Sequence, residues 1–96
     1  KMFYATNKVI GREKVKAKYP DARGIVLDDS FNTFEHVANS LLKIIPDIGE
    51  KKAWDLTIKV DKFGSAEVWR GNLERAELYH QQLFCRGLTM APIENI

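Results

Sequence analysis

The chain has 96 residues, of which 45% are hydrophobic and 29% charged, a balance typical of one small globular domain. Its net charge of +2 is uneven, because residues 1–20 carry +5 and residues 21–96 carry −3. The basic charge therefore belongs to a terminal segment and does not predict nucleic-acid binding by the domain. No apolar run approaches the roughly 18 residues of a membrane span, so no membrane association is expected.

Residues 1–20 are predicted to form a flexible basic N-terminal extension, because they lack a sustained apolar period and end at Pro20. A merely solubilising tail is the alternative. Residues 21–96 are expected to form the core domain. The chain begins at Lys1 and not at Met, which favours a processed organellar protein.

The first half of the domain predicts one strand and two helices. The β-branched run at residues 24–27 indicates a buried strand that stops at Asp28-Asp29-Ser30. Asn32, with Glu35 three residues later, predicts the N-cap of a helix that Pro46 ends. A second helix is predicted over residues 50–62 and closes at Gly64. The inner faces of the two helices are predicted to consist of Phe34, Val37, Ala38, Leu41, Leu42 and Ile45, and of Ala53, Trp54, Thr57, Ile58 and Val60.

The second half predicts strand, helix and strand. Residues 66–70 alternate like a strand with one exposed face, and Asn72 is placed to cap a third helix. That helix is predicted to end at Gly87, and residues 88–93 to form an edge strand. The buried side of the third helix is predicted to consist of Leu73, Ala76, Tyr79 or His80, Leu83 and Phe84. The order β-α-α-β-α-β predicts an α+β fold with three helices against a three-stranded antiparallel sheet.

No pattern typical of an enzyme is present in the sequence. There is no glycine-rich phosphate loop and no serine in a nucleophile elbow. His36 and His80 lie on different predicted helices without further ligands at metal-binding spacing, so both are expected to be structural. The single cysteine, Cys85, allows no internal disulfide. We therefore expect neither an enzyme nor a bound metal or cofactor.

The adjacent pair Asp28-Asp29 follows a strand and precedes a helix. The simplest interpretation is a turn with a helix cap. A glycosidase pair is disfavoured, because neighbouring residues do not face each other across a cleft. Carboxylates beside an apolar helix face also suit a ligand that is cationic at one end and apolar at the next atom. The N-terminus of a protein is such a ligand.

Several separated segments resemble the ClpS adaptor family, and in particular its cyanobacterial and plastid branch. They are VLDDSFNTFEHV at residues 26–37, AW at 53–54, VDKFG at 60–64, ERAELYHQQL at 74–83 and GLTMAPIE at 87–94. The resemblance covers about residues 21–94 and implies the same element order. It also implies a monomeric adaptor that binds N-degrons, which are proteins with N-terminal Leu, Phe, Tyr or Trp. The adaptor would deliver them to a ClpA- or ClpC-type AAA+ unfoldase for degradation by ClpP.

The resemblance also assigns roles to single residues. It implies α-amine binding by Asp28, Asp29 and Asp61, a hydrophobic pocket of Phe34, Val37, Thr57, Val60 and Met90, and unfoldase contacts by Glu74 and Tyr79. The chain departs from the family at several of them.

Asp28 replaces an Asn of the family and Asp61 replaces a His, so three carboxylates are expected to raise one another's pKa until a cation binds. Thr57 stands where Met is common, which predicts a deeper and slightly polar pocket floor. Phe34 replaces a gatekeeper Met, and Tyr79 replaces a Lys.

Two questions stay open at this point. The chain could instead be a regulator of the same fold that docks on the unfoldase without binding N-degrons. The resemblance is to both the cyanobacterial and the plastid branch. The missing Met at position 1 and the lysine-rich N-terminal segment favour the stroma of a plastid-type organelle, either chloroplast or apicoplast, and the cyanobacterial cytoplasm is the alternative.

Overall fold

The computed structural model describes residues 8–10, 13–15 and 20–96. From residue 21 onward the element order is β-α-α-β-α-β, as predicted. The elements are β1 (Lys8–Ile10), β2 (Glu13–Val15), β3 (Asp21–Leu27), α1 (Phe34–Ile44), α2 (Glu50–Phe63), β4 (Ser65–Asn72), α3 (Leu73–Cys85) and β5 (Glu94–Asn95).

The strands β1 and β2 pair antiparallel within the segment predicted to be flexible. They are only three residues each, too short for an apolar period to indicate them. The remainder of that predicted extension lies outside the described residues, apart from Pro20. Its assignment as a separate region stays a prediction.

The main sheet has the order β4-β3-β5, with every pair antiparallel. The register of β3 against β4 shifts between Gly24 and Ile25. The prediction of an edge strand over residues 88–93 is wrong, because the strand that pairs with β3 is β5. Within 88–93, Met90 forms an isolated bridge with Val26. Since β3 is central, its end at Leu27 is held by neighbours on both sides.

One hydrophobic core joins the sheet to all three helices. Leu41 and Leu83 are fully buried, and burial of one such side chain contributes roughly 1.5–3 kcal/mol. The core consists of Val26, Val37, Leu41, Ile45, Ala53, Leu56, Val60, Ala66, Val68, Tyr79, Leu83 and Leu88. Within residues 20–96, none of the helices has the length and apolarity to cross a membrane.

The predicted helix ends are confirmed at two places and wrong at one. Asn72 caps α3 by accepting from the Arg75 N–H at 2.8 Å, and Gly64 closes α2 with a φ of 91°. The N-cap of α1, however, is Thr33, whose hydroxyl accepts from the His36 N–H. Asn32 does not cap the helix, because its side chain is engaged in the preceding turn.

Three inner-face predictions are also wrong, and the first concerns Phe34, which is 42% exposed at the start of α1. Leu56 is buried, whereas Ile58 is 49% exposed, because the buried positions of α2 follow the spacing i, i+3, i+4, i+7 from Ala53. On α3, Leu83 takes the core position and Phe84 is 63% exposed. The free thiol of Cys85 is likewise exposed.

Candidate functional site

The turn after β3 is attached on two sides. The Asp28 N–H donates to the Gly64 carbonyl at 2.9 Å, which joins the turn to the end of α2. One residue earlier, the Leu27 N–H donates to the Thr89 carbonyl at 2.8 Å. The acidic turn therefore lies between the C-terminus of α2 and the segment that follows α3.

A cavity of about 50 Å³ opens beside this turn, between α1 and α2. It is far smaller than the roughly 300–1,000 Å³ of pockets that enclose drug-sized molecules, so it suits a single side chain. Its lining consists of Leu27, Asp28, Asp29, Asn32, Phe34, Val37, Thr57, Val60 and Asp61. All the predicted amine-site and pocket residues are therefore brought together, except Met90.

Met90 does not line the cavity. Its backbone forms the bridge to Val26, and its side chain is partly buried against the core. Conversely, Leu27 and Asn32 line the cavity without having been predicted. Leu27 directly precedes the acidic pair and Asn32 follows it by three residues, and this closeness in the sequence could have indicated both.

The wall of the cavity has an apolar part, to which Phe34, Val37 and Val60 contribute. Val37, Thr57 and Val60 are buried, and Phe34, the first residue of α1, is 42% exposed. The Thr57 hydroxyl donates to the Ala53 carbonyl at 2.8 Å. Because its proton is used within the helix, the floor is less polar than the sequence predicts.

Asp29 makes more hydrogen bonds than any other carboxylate among residues 20–96. Its Oδ1 accepts from the N–H groups of Phe31 and Asn32, both at 2.8 Å. Its Oδ2 accepts from Asn32 Nδ2 at 2.7 Å and from the Thr89 hydroxyl at 2.6 Å. These bonds, the one from Thr89 above all, hold the pKa of Asp29 well below its ordinary value. The expectation that its neighbours raise its pKa is therefore wrong.

Asp28 and Asp61 differ from Asp29. Both are exposed, and neither side chain has a hydrogen-bond or ion-pair partner within residues 20–96. Each can therefore accept from a cation without losing a bond to another residue of that segment.

The two histidines are held by backbone carbonyls. His36 Nε2 donates to the Arg86 carbonyl at 2.7 Å, and His80 Nε2 donates to the Ala91 carbonyl at 2.9 Å. Since a carbonyl oxygen only accepts, Nε2 carries the proton in both rings. In the part of the chain that the structure describes, no three His, Cys, Asp or Glu side chains form a metal site.

Larger grooves exist elsewhere, and in one of them the acidic lining residue is already paired with arginines. One of about 560 Å³ runs along β4 and α2 and includes Arg23 and Glu67. These two form an ion pair at 3.1 Å, and Arg70 also contacts Glu67 at 2.8 Å. The small cavity is therefore the better candidate for ligand binding.

The two predicted unfoldase contacts differ in accessibility. Glu74 is exposed in the first turn of α3. Tyr79 is only 6% exposed, because its ring contacts Trp69 edge-on with centroids 5.1 Å apart. Its hydroxyl accepts from Arg75 Nη1. Tyr79 therefore offers almost no surface to a partner.

The molecule is thus a small α+β domain with a small, partly apolar cavity that has carboxylates in its lining. Comparison with known proteins identifies the family. The model of the ATP-dependent Clp protease adaptor protein ClpS matches residues 17–89. The chain is 54% identical over 84 residues to the ClpS adapter of Thermosynechococcus vestitus. The alignment covers 86% of this chain and 89% of that protein.

Two further cyanobacterial relatives are similar to the same degree. The ClpS adapter of Synechocystis sp. is 55% identical, with 84% of this chain and 83% of that protein covered. The ClpS adapter of a Nostoc species is 55% identical, with 85% and 84% covered. The chain belongs to the ClpS family of Clp protease adaptor proteins.

Proposed function

We propose that this chain is a non-enzymatic adaptor that captures proteins by an N-terminal Leu, Phe, Tyr or Trp and its free α-amine. It then delivers them to a ClpA- or ClpC-type AAA+ unfoldase for degradation by ClpP. The observation that carries the proposal is the small, partly apolar cavity lined by Asp28 and Asp61, two carboxylates without partners in residues 20–96. No cofactor takes part.

The chemistry of an N-terminus fits this arrangement. The side chain and the ammonium are attached to the same Cα, so a ligand that buries one must place the other within a few ångströms. Burying an apolar side chain contributes roughly 1.5–3 kcal/mol, and a hydrogen bond to a charged group contributes roughly 1.5–3 kcal/mol. Both contributions are needed, which gives selectivity for a free N-terminus over an internal apolar residue.

The cavity walls set the preference among N-terminal residues. Val37, Thr57 and Val60 are buried and form the fixed part, whereas the partly exposed Phe34 is free on one side to move as a side chain enters. A β-branched side chain is wide at Cβ and stiff at χ1, so we propose that Phe34 disfavours N-terminal Val and Ile.

Docking on the unfoldase is proposed for the surface at the start of α3. Glu74 is exposed there, and the burial of Tyr79 argues against a direct contribution from that residue. The basic residues 1–20 are proposed to engage the unfoldase during delivery, and the adaptor is proposed to act as a monomer.

The proposal is tested by titrating the full chain with a fluorescent peptide that begins with Leu. Binding is expected for the free peptide and for peptides that begin with Phe, Tyr or Trp. The N-acetylated Leu peptide and a Val-initiated peptide serve as matched controls and are expected to bind at least about tenfold more weakly, since a tenfold change corresponds to roughly 1.4 kcal/mol. Equal affinity for the free and acetylated peptides contradicts the proposal.

The second candidate is a ClpS-fold regulator that docks on the unfoldase without binding N-degrons. One observation favours it, namely that Asp29 accepts four bonds from its own chain and so offers less to an amine. An unfoldase pull-down combined with the titration separates the two candidates. Retention of the unfoldase with no peptide binding supports the regulator.

For the compartment we propose the stroma of a plastid-type organelle, chloroplast or apicoplast, with the cyanobacterial cytoplasm as the alternative. The high identity to cyanobacterial relatives supports a Clp system of the cyanobacterial type and is compatible with both. Immunodetection of the protein in fractionated cells of its source organism distinguishes them.

A further inference from the structure

The four hydrogen bonds to Asp29 use the whole acceptor capacity of its carboxylate. An ionised carboxylate has about four acceptor positions, two on each oxygen. Phe31 N and Asn32 N fill those of Oδ1, and Asn32 Nδ2 and the Thr89 hydroxyl fill those of Oδ2. An incoming ammonium would have to displace one of these donors before it could bind Asp29.

Two of the donors come from side chains that tie the acidic turn to a distant segment. Thr89 lies 60 positions further along the chain than Asp29. The Asn32 amide, besides its bond to Asp29, donates to the Gly87 carbonyl at 3.0 Å. We call the side chains of Asp29, Asn32 and Thr89 the Asp29 brace. The brace joins the turn between β3 and α1 to the segment between α3 and β5.

We infer that Asp29 does not bind the substrate amine but acts, with Asn32 and Thr89, as a positioning residue that holds Asp28 at the cavity beside Asp61. This inference rests on the proposed function. It divides the three carboxylates expected to bind the amine into one that organises the turn and two that contact the ligand.

The position of Asp28 explains why the brace matters for binding. Asp28 is fixed on its N-terminal side by β3 and by its own N–H bond to the Gly64 carbonyl. On its C-terminal side the chain passes through residues 29–33 before α1 begins, and the Asp29 carboxylate closes this turn by accepting from Phe31 and Asn32. Without the bond from Thr89, the Asp29 carboxylate keeps its bonds from Phe31 and Asn32 but loses its direct bond to the 87–89 segment, so the turn is held there less firmly.

A matched pair of substitutions isolates the brace. Thr89→Val keeps the shape of the side chain and the backbone bond from Leu27 to the Thr89 carbonyl, and it removes only the hydroxyl donor. Thr89→Ser restores that donor. We expect Thr89→Val to weaken binding of the Leu-initiated peptide by about fivefold to tenfold, because Asp28 is then held less firmly and binding must also order the turn. Thr89→Ser is expected to bind like the wild type.

Amide hydrogen exchange provides a second readout that does not depend on the peptide. Thr89→Val is expected to increase the exchange rates of the Phe31 and Asn32 amides, whereas Asp28→Ala is expected to weaken binding without changing them. Carboxyl NMR titration should show the pKa of Asp29 rising toward its ordinary value of 3.8 in Thr89→Val and unchanged in Thr89→Ser.

Each outcome decides the inference. Wild-type affinity in Thr89→Val, or weaker binding with unchanged exchange at Phe31 and Asn32, overturns it. If the wild type binds no N-degron peptide, the proposed function fails. The role of the brace in holding the turn is then supported by faster exchange in Thr89→Val and refuted by unchanged exchange.

Discussion

Two clusters of carboxylates in residues 20–96 differ in whether arginines neutralise them. On the outer side of the sheet, Arg23 contacts Glu94 at 2.6 Å and Glu67 at 3.1 Å, and Arg70 contacts Glu67 at 2.8 Å. At the cavity, Asp28 and Asp61 have no cationic partner among residues 20–96. Within residues 20–96, the first cluster is neutralised by arginines and the second has no such partner.

We therefore expect the paired carboxylates to affect stability and the unpaired carboxylates at the cavity to affect ligand binding. Exposed ion pairs contribute roughly 0–1 kcal/mol each, and those on the sheet tie β4 and β5 to β3. Carboxylates placed together without cations repel one another and destabilise the free protein. Such an arrangement is expected where a ligand supplies the positive charge, and a protein N-terminus supplies one.

The largest expected effect comes from removing the charge at the cavity. In the double variant Asp28→Ala/Asp61→Ala, two hydrogen bonds to the ammonium are lost, so affinity for a Leu-initiated peptide should fall at least about a hundredfold. The double variant Glu67→Gln/Glu94→Gln changes the neutralised cluster instead and should bind like the wild type. Fluorescence anisotropy measures both. Similar losses in the two variants would show that the clusters do not differ in role.

The next effect is on stability alone and concerns Gly71 of β4. A Cβ at this position would lie 2.2 Å from the Trp69 ring, so Gly71→Ala should force that ring to move and cost roughly 1–3 kcal/mol. Gly24, on the paired strand β3, has open space for a Cβ, and Gly24→Ala is the matched control. Urea unfolding should show the loss for Gly71→Ala only, with peptide binding of the folded variant unchanged. Loss of binding at temperatures where the variant is folded would contradict the separation of the two regions.

The periodicity of apolar residues was sufficient to predict the fold, because the core is built from helix stripes and strand alternation that are local in the sequence. The cavity residues came from the resemblance, which brought together positions on β3, α1 and α2. The state of Asp29 could not be predicted, because it depends on Thr89, a residue 60 positions away. The helical pattern left open whether Tyr79 or His80 is buried, because the choice depends on the contact of Tyr79 with Trp69, on a different element.

The smallest expected effect is in the acid range, where the two clusters should respond differently to salt. The pKa values of Asp29 and Glu67 are both lowered in the folded chain, mainly by the Thr89 hydroxyl and by Arg70, respectively. As the pH falls, both carboxylates are therefore protonated at a higher pH in the unfolded chain than in the folded chain. Each group stabilises the fold above its unfolded pKa, ordinarily 3.8 for Asp29 and 4.5 for Glu67, and loses that contribution as the pH falls through the folded value.

Salt separates the two contributions because the partners differ in charge. Glu67 is held by cations and its side chain is 32% exposed, so roughly 0.5 M NaCl should reduce its contribution by screening. Asp29 is held by neutral donors, whose bonds are short-ranged and little affected by salt. We expect the stability difference between wild type and Asp29→Asn, measured by urea unfolding at pH 6 and pH 3, to shrink at the lower pH and to be the same with and without salt. The difference for Glu67→Gln should shrink in salt at pH 6. Equal salt sensitivity of both differences would mean that Asp29 also depends on a cation, and the contrast between the two clusters would then be lost.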